Sequence, residues 1–216
     1  MKNKLYYQFF SSCCLLVCFF LGYVVRFHEG WLRSFDDILT NAIRFSYPNG
    51  HGFFMWITKF ANPLSIVLLV AACALLLLKG KRYIESLWLV SNLAIVSGVF
   101  NPLLKLVFQR NRPTLEHLVV EHSYSFPSGH AAASMIFYGT LIVLLGIFIS
   151  NQKVRLASQI LLGLLILLIG CSRVYLGVHF PSDIIGGYLV GLTWLTFTYP
   201  FFDQLRFTWR FKGKQA

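Results

Sequence analysis

The chain has 216 residues, of which 56% are hydrophobic and only 12% charged, with a formal net charge of +11. Soluble domains carry about a quarter charged residues, so the composition excludes an ordinary soluble protein. Nucleic-acid binding is not expected either, because the cations flank apolar runs instead of lining polar, solvated faces. The partners they suggest are a bilayer and its anionic lipid.

An apolar run from about residue 5 to residue 25 follows Lys2 and Lys4. It is longer than the core of a cleaved signal peptide and lacks a small-residue exit site, so a retained span is expected. Trp31, Leu32, Phe35, Ile38, Leu39, Ala42 and Ile43 then recur at helical spacing, with Arg33, Asp36, Asp37 and Asn41 largely opposite. That pattern predicts a short amphipathic helix lying on the outer membrane surface. Further spans are expected near 53–78, 84–104, 129–150, 156–174 and 182–202. The expected fold is all-α: a polytopic bundle of six transmembrane helices forming one membrane domain over residues 1–216. Cys13, Cys14, Cys18, Cys73 and Cys171 all fall in these spans, are odd in number, and show no metal-type spacing; apolar packing is expected of them.

Charge orients the bundle. Lys2, Lys4, Lys79, Lys81, Arg82, Lys153, Arg155 and the C-terminal Arg206, Arg210, Lys212 and Lys214 share one side with only Glu85 and Asp203. The other side mixes its cations with Glu29, Asp36, Asp37, Glu116, Glu121 and Asp183. The Lys/Arg excess predicts cytoplasmic N- and C-termini in a plasma membrane, as an even number of spans requires.

Three polar clusters then fall on the outer side. Lys105 is followed after six residues by Arg112-Pro113; Pro127-Ser128-Gly129-His130 opens the fourth span; Ser172-Arg173 precedes His179 by five residues, and Asp183 follows His179 after three more. Taken singly, each cluster has an ordinary reading as an interface anchor, a helix start or a solvated loop pair. Their shared face and combined content suit phosphoryl transfer. Lys105, Arg112 and Arg173 supply cations for phosphoryl oxygens. The backbone N–H groups of Ser128 and Gly129 and the Ser128 hydroxyl add donors at a helix start. Such groups stabilise charge that moves during transfer. His179 beside Asp183 has the form of a nucleophile with an orienting carboxylate. His130 can protonate the departing oxygen and then activate water. No dense Asp/Glu/His cage is present in the pattern, so neither a metal nor another cofactor is expected.

At these residues the sequence resembles the type 2 phosphatidic acid phosphatase superfamily of membrane lipid phosphatases. All three parts of that family's signature are present, and the motifs occupy 105–183. The resemblance implies metal-independent hydrolysis through a phosphohistidine, with His179 as nucleophile, Asp183 as its orienter and His130 as acid, then base. Lys105, Arg112, Ser128, Gly129 and Arg173 hold phosphate in that reading, and Ser172 contacts phosphate or supports Arg173. His117, Glu121 and His122 lie outside the signature, and a solvated loop is expected for them. A small chain of this kind looks like bacterial members acting on undecaprenyl diphosphate, phosphatidylglycerophosphate or phosphatidic acid. A phosphotransferase would share the whole site, whereas a non-enzymatic lipid-phosphate carrier would need the cations but not the two histidines. Oligomeric state is not legible in the sequence.

Overall fold

The computed structural model describes residues 3–215; Lys2, counted above on the inner side, lies outside them. The described residues are mostly helical, with no strand among them. The helices are α1 (Lys4–Phe27), α2 (Arg33–Ile43), α3 (His51–Thr58), α4 (Pro63–Lys79), α5 (Tyr83–Ile95), α6 (Asn101–Phe108), α7 (Gly129–Phe148), α8 (Gln152–Tyr175) and α9 (Pro181–Phe211). Long apolar helices satisfy every backbone polar group internally, which is what hydrocarbon demands. Five helices are long and apolar enough to cross a membrane, or six if the bent pair His51–Ala61 and Pro63–Lys79 is one span. Large apolar side chains point outward along them, as at Leu5, Phe9, Leu16, Leu76, Leu106 and Leu161. Exposed apolar surface on that scale marks a membrane-facing perimeter.

The run expected as one span over 53–78 is instead broken. The chain bends by 51° between its two helices. Asn62 is extended at ψ 138°, and Pro63 opens α4. Proline disfavours helical backbone in the residue before it and suits the first helical position, which accounts for the break. A second proline, Pro102, acts differently. A π-helical turn over Val96–Phe100 precedes it, and α5 runs through that turn into α6 as one span, Tyr83–Phe108. The wider turn accommodates the hydrogen bond that proline cannot donate. Gln109, left-handed at φ 48°, then ends α6 and releases the chain into the 110–128 loop.

α7 lies between α8 and α9, with α1 packed along α9. The α7–α9 approach depends on glycine: a Cβ at Gly187 would lie 2.5 Å from the Ser128 carbonyl oxygen. This crossing brings the start of α7 against the start of α9. At the opposite end of the bundle, Gln215 and Arg206 bind the buried Glu85, tying the C-terminus to α5.

The helix expected over 31–43 forms as α2, preceded by a 3-10 turn at Glu29–Leu32. Trp31 and Ile38 are exposed. Asp36 is a correction to the expected pattern: only 2% exposed, it turns into the protein and not to solvent.

Candidate active site

Loop backbone bonds join the three clusters at one end of the bundle. The Ser128 N–H donates to the Asp183 carbonyl at 3.0 Å, the Ser125 N–H to the Arg110 carbonyl at 2.8 Å, and the Leu118 N–H to the Leu176 carbonyl at 3.1 Å. Asn101 Nδ2 donates to the Pro127 carbonyl at 3.2 Å, fixing the start of α7 against α6. Helix starts and loop ends that periodicity treats separately are thus one unit.

His179 sits in the tight connection between α8 and α9, where Pro181 and Asp183 open α9. Asp183 Oδ2 accepts from the Phe180 N–H at 2.8 Å, capping the helix. The same oxygen faces His179 Nδ1 at 3.4 Å, and the Ser125 hydroxyl donates to it as well. The other ring nitrogen, Nε2, faces Arg112 Nη1 at 3.4 Å. Burial pushes the His179 imidazole down to about 3, against the upward pull of Asp183. The ring is therefore neutral near pH 7, and its contacts suit a proton on Nδ1 with a lone pair on Nε2.

That shift has a sign for stability. An unfolded histidine titrates near 6.5. Between pH 6.5 and about 3 the unfolded chain binds a proton at His179 that the folded chain refuses. Stability is therefore complete above 6.5 and falls on acidification, by at most about 1.4 kcal/mol per pH unit from this group. Apparent melting temperatures in detergent at pH 7 and pH 5 check this: the drop is expected to shrink in His179→Gln.

A cavity of about 1280 Å³ opens beside His179 and is lined by Lys105, Arg112, Gly129, His130 and Arg173 among others. Its lining also includes the apolar Met55, Ile66, Val67, Leu93 and Leu106. Arg173, 2% exposed, donates from Nη1 to Thr58 Oγ1 at 2.8 Å. Its Nε is buried and has no hydrogen-bond partner. A buried unpaired guanidinium donor is costly unless a ligand completes it. Arg112 donates from Nε to the Ser123 carbonyl and from Nη1 to the Val178 carbonyl, at 2.9 and 2.8 Å. Burial lowers its pKa, an effect opposed by Glu121 and Asp183. Lys105 Nζ donates to the Tyr124 carbonyl.

Two signature residues are placed elsewhere. Ser172 is fully buried and donates to the Ile169 carbonyl at 2.6 Å, inside α8, and does not line the cavity. Ser128 caps α7 by accepting from the Ala131 N–H, while its own N–H is taken by Asp183. The backbone donor expected there narrows to Gly129.

Glu121 departs from the solvated loop expected of it. Its carboxylate ion-pairs with Arg173 through Oε1 and lies 3.5 Å from Arg112 through Oε2. It stands where an anion bridging the two arginines would bind. Glu121→Gln is expected to tighten inhibition by orthovanadate about 3- to 10-fold, the scale of a partly exposed ion pair; inhibition curves in detergent measure it. Thr58, Ser125 and Arg110 are further residues that the motif spacing does not reveal. Arg110 lies inside the first cluster, but nothing in the sequence says which carboxylate it meets.

The fold and site together describe a multi-pass membrane protein with a cavity lined by cations beside His179. Residues 85–207 match the PAP2 superfamily. Phosphatidylglycerophosphatase B of Bacillus subtilis is 30% identical over 197 residues, covering 88% of this chain and 93% of that protein. The crystal structure of a transmembrane PAP2-type phosphatidylglycerolphosphate phosphatase from Bacillus subtilis superposes with a TM-score of 0.80. It is 26% identical and covers 90% of this chain and 96% of its own. Aquifex aeolicus LpxE shares the fold at a TM-score of 0.61 and 24% identity, over 75% of this chain and 93% of its own. The chain belongs to the PAP2 superfamily, and it is a phosphatase of that family.

Proposed function

We propose that this lipid phosphatase removes the terminal phosphate of a membrane lipid phosphate or diphosphate at the outer face of the plasma membrane. His179 Nε2 attacks phosphorus while the lipid oxygen leaves with a proton from His130. The phosphohistidine is then hydrolysed by water, whose proton returns to His130, releasing inorganic phosphate and free His179. Asp183 holds the Nδ1 proton throughout. Arg112, Arg173, Lys105 and the Gly129 N–H bind the phosphoryl oxygens, for which Glu121 has to move aside.

The observation that carries this reading is the placement of His179, with Nδ1 facing Asp183 and Nε2 facing Arg112, beside the cavity that Arg112 and Arg173 line. The apolar part of the lining suits an acyl or prenyl tail. The likeness to phosphatidylglycerophosphatase B favours phosphatidylglycerophosphate as substrate, with undecaprenyl diphosphate and phosphatidic acid as the competitors. No metal is required in this scheme.

In this reading the chain is one domain of six spans, the bent α3–α4 pair being one of them, with both termini cytoplasmic. α2 and the turn before it lie along the outer interface on Trp31, Phe35 and Ile38. The test is phosphate release from the three lipids under one detergent condition, with chelator present. Release from phosphatidylglycerophosphate at the highest kcat/KM is expected, and loss on metal removal would contradict the scheme. Cysteines introduced in the 114–126 loop are expected to react with a membrane-impermeant reagent on intact cells; protection there would invert the topology.

A further inference from the structure

The segment before the signature arginine holds a side chain with more ionic partners than any signature residue. Arg110 is 4% exposed, and all three guanidinium nitrogens are engaged. Nε donates to Glu29 Oε1 at 2.9 Å, Nη2 to Asp36 Oδ2 at 2.9 Å, and Nη1 to both Asp183 Oδ1 at 2.8 Å and Ser182 Oγ at 2.7 Å. The Phe180 ring lies under the guanidinium at 3.9 Å. Asp36 in turn accepts from the Ser182 N–H at 2.9 Å and its hydroxyl at 2.8 Å. One guanidinium thus joins α2, the loop after α6 and the first turn of α9.

We propose that Arg110 is a positioning residue for the hydrolysis, holding the Asp183 carboxylate ionised and turned toward His179, and that Asp36 of α2 fixes Arg110 in turn. The inference rests on His179 being the nucleophile. Asp183 is fully buried, and a buried carboxylate without a cation would rotate or take up a proton. Arg110 binds Oδ1 alone, which leaves Oδ2 for His179, Ser125 and the Phe180 N–H. When His179 Nε2 bonds to phosphorus, the ring becomes cationic. The charge that steadies it is on Asp183, so a loss of Arg110 acts in the transition state more than in lipid binding. The planar fork, gripping three carboxylates at once, is a task for arginine that lysine performs only in part.

The signal that separates positioning from bulk stability is the division between kcat and KM per folded molecule. Phosphatidic acid in mixed detergent micelles is the probe, with folded protein quantified by size exclusion and circular dichroism. Arg110→Gln is expected to lower kcat on the order of 10- to 100-fold, the range for partners that orient active-site groups, with KM changed by less than about threefold. Arg110→Lys is expected to restore part of the loss, and Asp36→Asn to show a smaller fall in kcat of the same kind. Full kcat in Arg110→Gln overturns the proposal, as does a loss confined to KM or an Arg110→Lys variant no better than Arg110→Gln. If Arg110→Gln does not fold, unchanged kcat in both Arg110→Lys and Asp36→Asn overturns it, and reduced kcat in both supports it. His179→Ala assayed alongside separates the two levels. Activity in that variant overturns the nucleophile reading itself, whereas an inactive His179→Ala beside a fully active Arg110→Gln sinks only the role of Arg110.

Discussion

His179→Ala is expected to reduce phosphate release from lipid phosphate by about ten-thousand-fold or more, the scale on which removal of a covalent nucleophile acts. The fall should appear in kcat, because the cationic wall of Arg112 and Arg173 still binds the substrate. His179 is buried, so the variant also creates a small void against Ser125 and Asp183. His179→Gln, close in volume, is the control: it should fold and remain inactive. Phosphate release in detergent, normalised to monodisperse protein, measures both. Substantial turnover in His179→Gln would mean that water or another group attacks phosphorus.

The second large effect is expected at His130, and it divides by step. His130→Ala removes both the acid for the departing lipid oxygen and the base for water, each worth about 10²- to 10⁴-fold. An aryl phosphate ester with an acidic leaving group needs no proton to depart. With that substrate, phosphorylation of His179 should survive in His130→Ala while hydrolysis of the phosphoenzyme stalls. Rapid-quench measurement is expected to show a burst of about one phenol per enzyme followed by near arrest. A variant that turns over the aryl ester at the rate of the parent protein would contradict the assignment of His130 to the water step.

The members of the site were legible in the sequence to the extent that they carry motif spacing. Lys105, Arg112, Gly129, His130, Arg173 and His179 line one cavity, and Asp183 lies behind His179. What spacing cannot show is how each group is engaged once folded. Ser172 is turned into its own helix, and the Ser128 N–H is taken by Asp183, because each lies on a packed face and not on the cavity wall. Asp36 misled in the opposite direction. An acid on the polar side of an amphipathic pattern reads as solvated, yet here it meets Arg110 from 74 residues away. Long-range ion pairs leave no periodic trace, so Arg110, Asp36 and Glu121 acquire meaning only in three dimensions.

The spans show the same division. Hydropathy locates α1, α7 and α8 to within a few residues, since a long apolar run satisfies its backbone in lipid as a helix, but of α9 it finds only the start, the helix running on to Phe211, past the expected end at 202. It passes over the bend at Asn62, although Pro63 is the local cause and visible in the sequence. That bend has a consequence for the site. It sets the end of α3 beside α8, where Thr58 accepts from Arg173. A straight span over 53–78 would not require the chain to turn there.

Hydrolysis by this route requires a covalent bond between His179 and phosphorus. Enzyme mixed with lipid carrying a labelled terminal phosphate, quenched in alkali within milliseconds and digested, should yield one labelled peptide containing His179. Its label should survive alkali and be lost in acid, as a phosphoramidate requires, and with a labelled aryl phosphate in place of the lipid it should accumulate further in His130→Ala. Turnover with no labelled protein at any quench time, or a label on another residue, would contradict it.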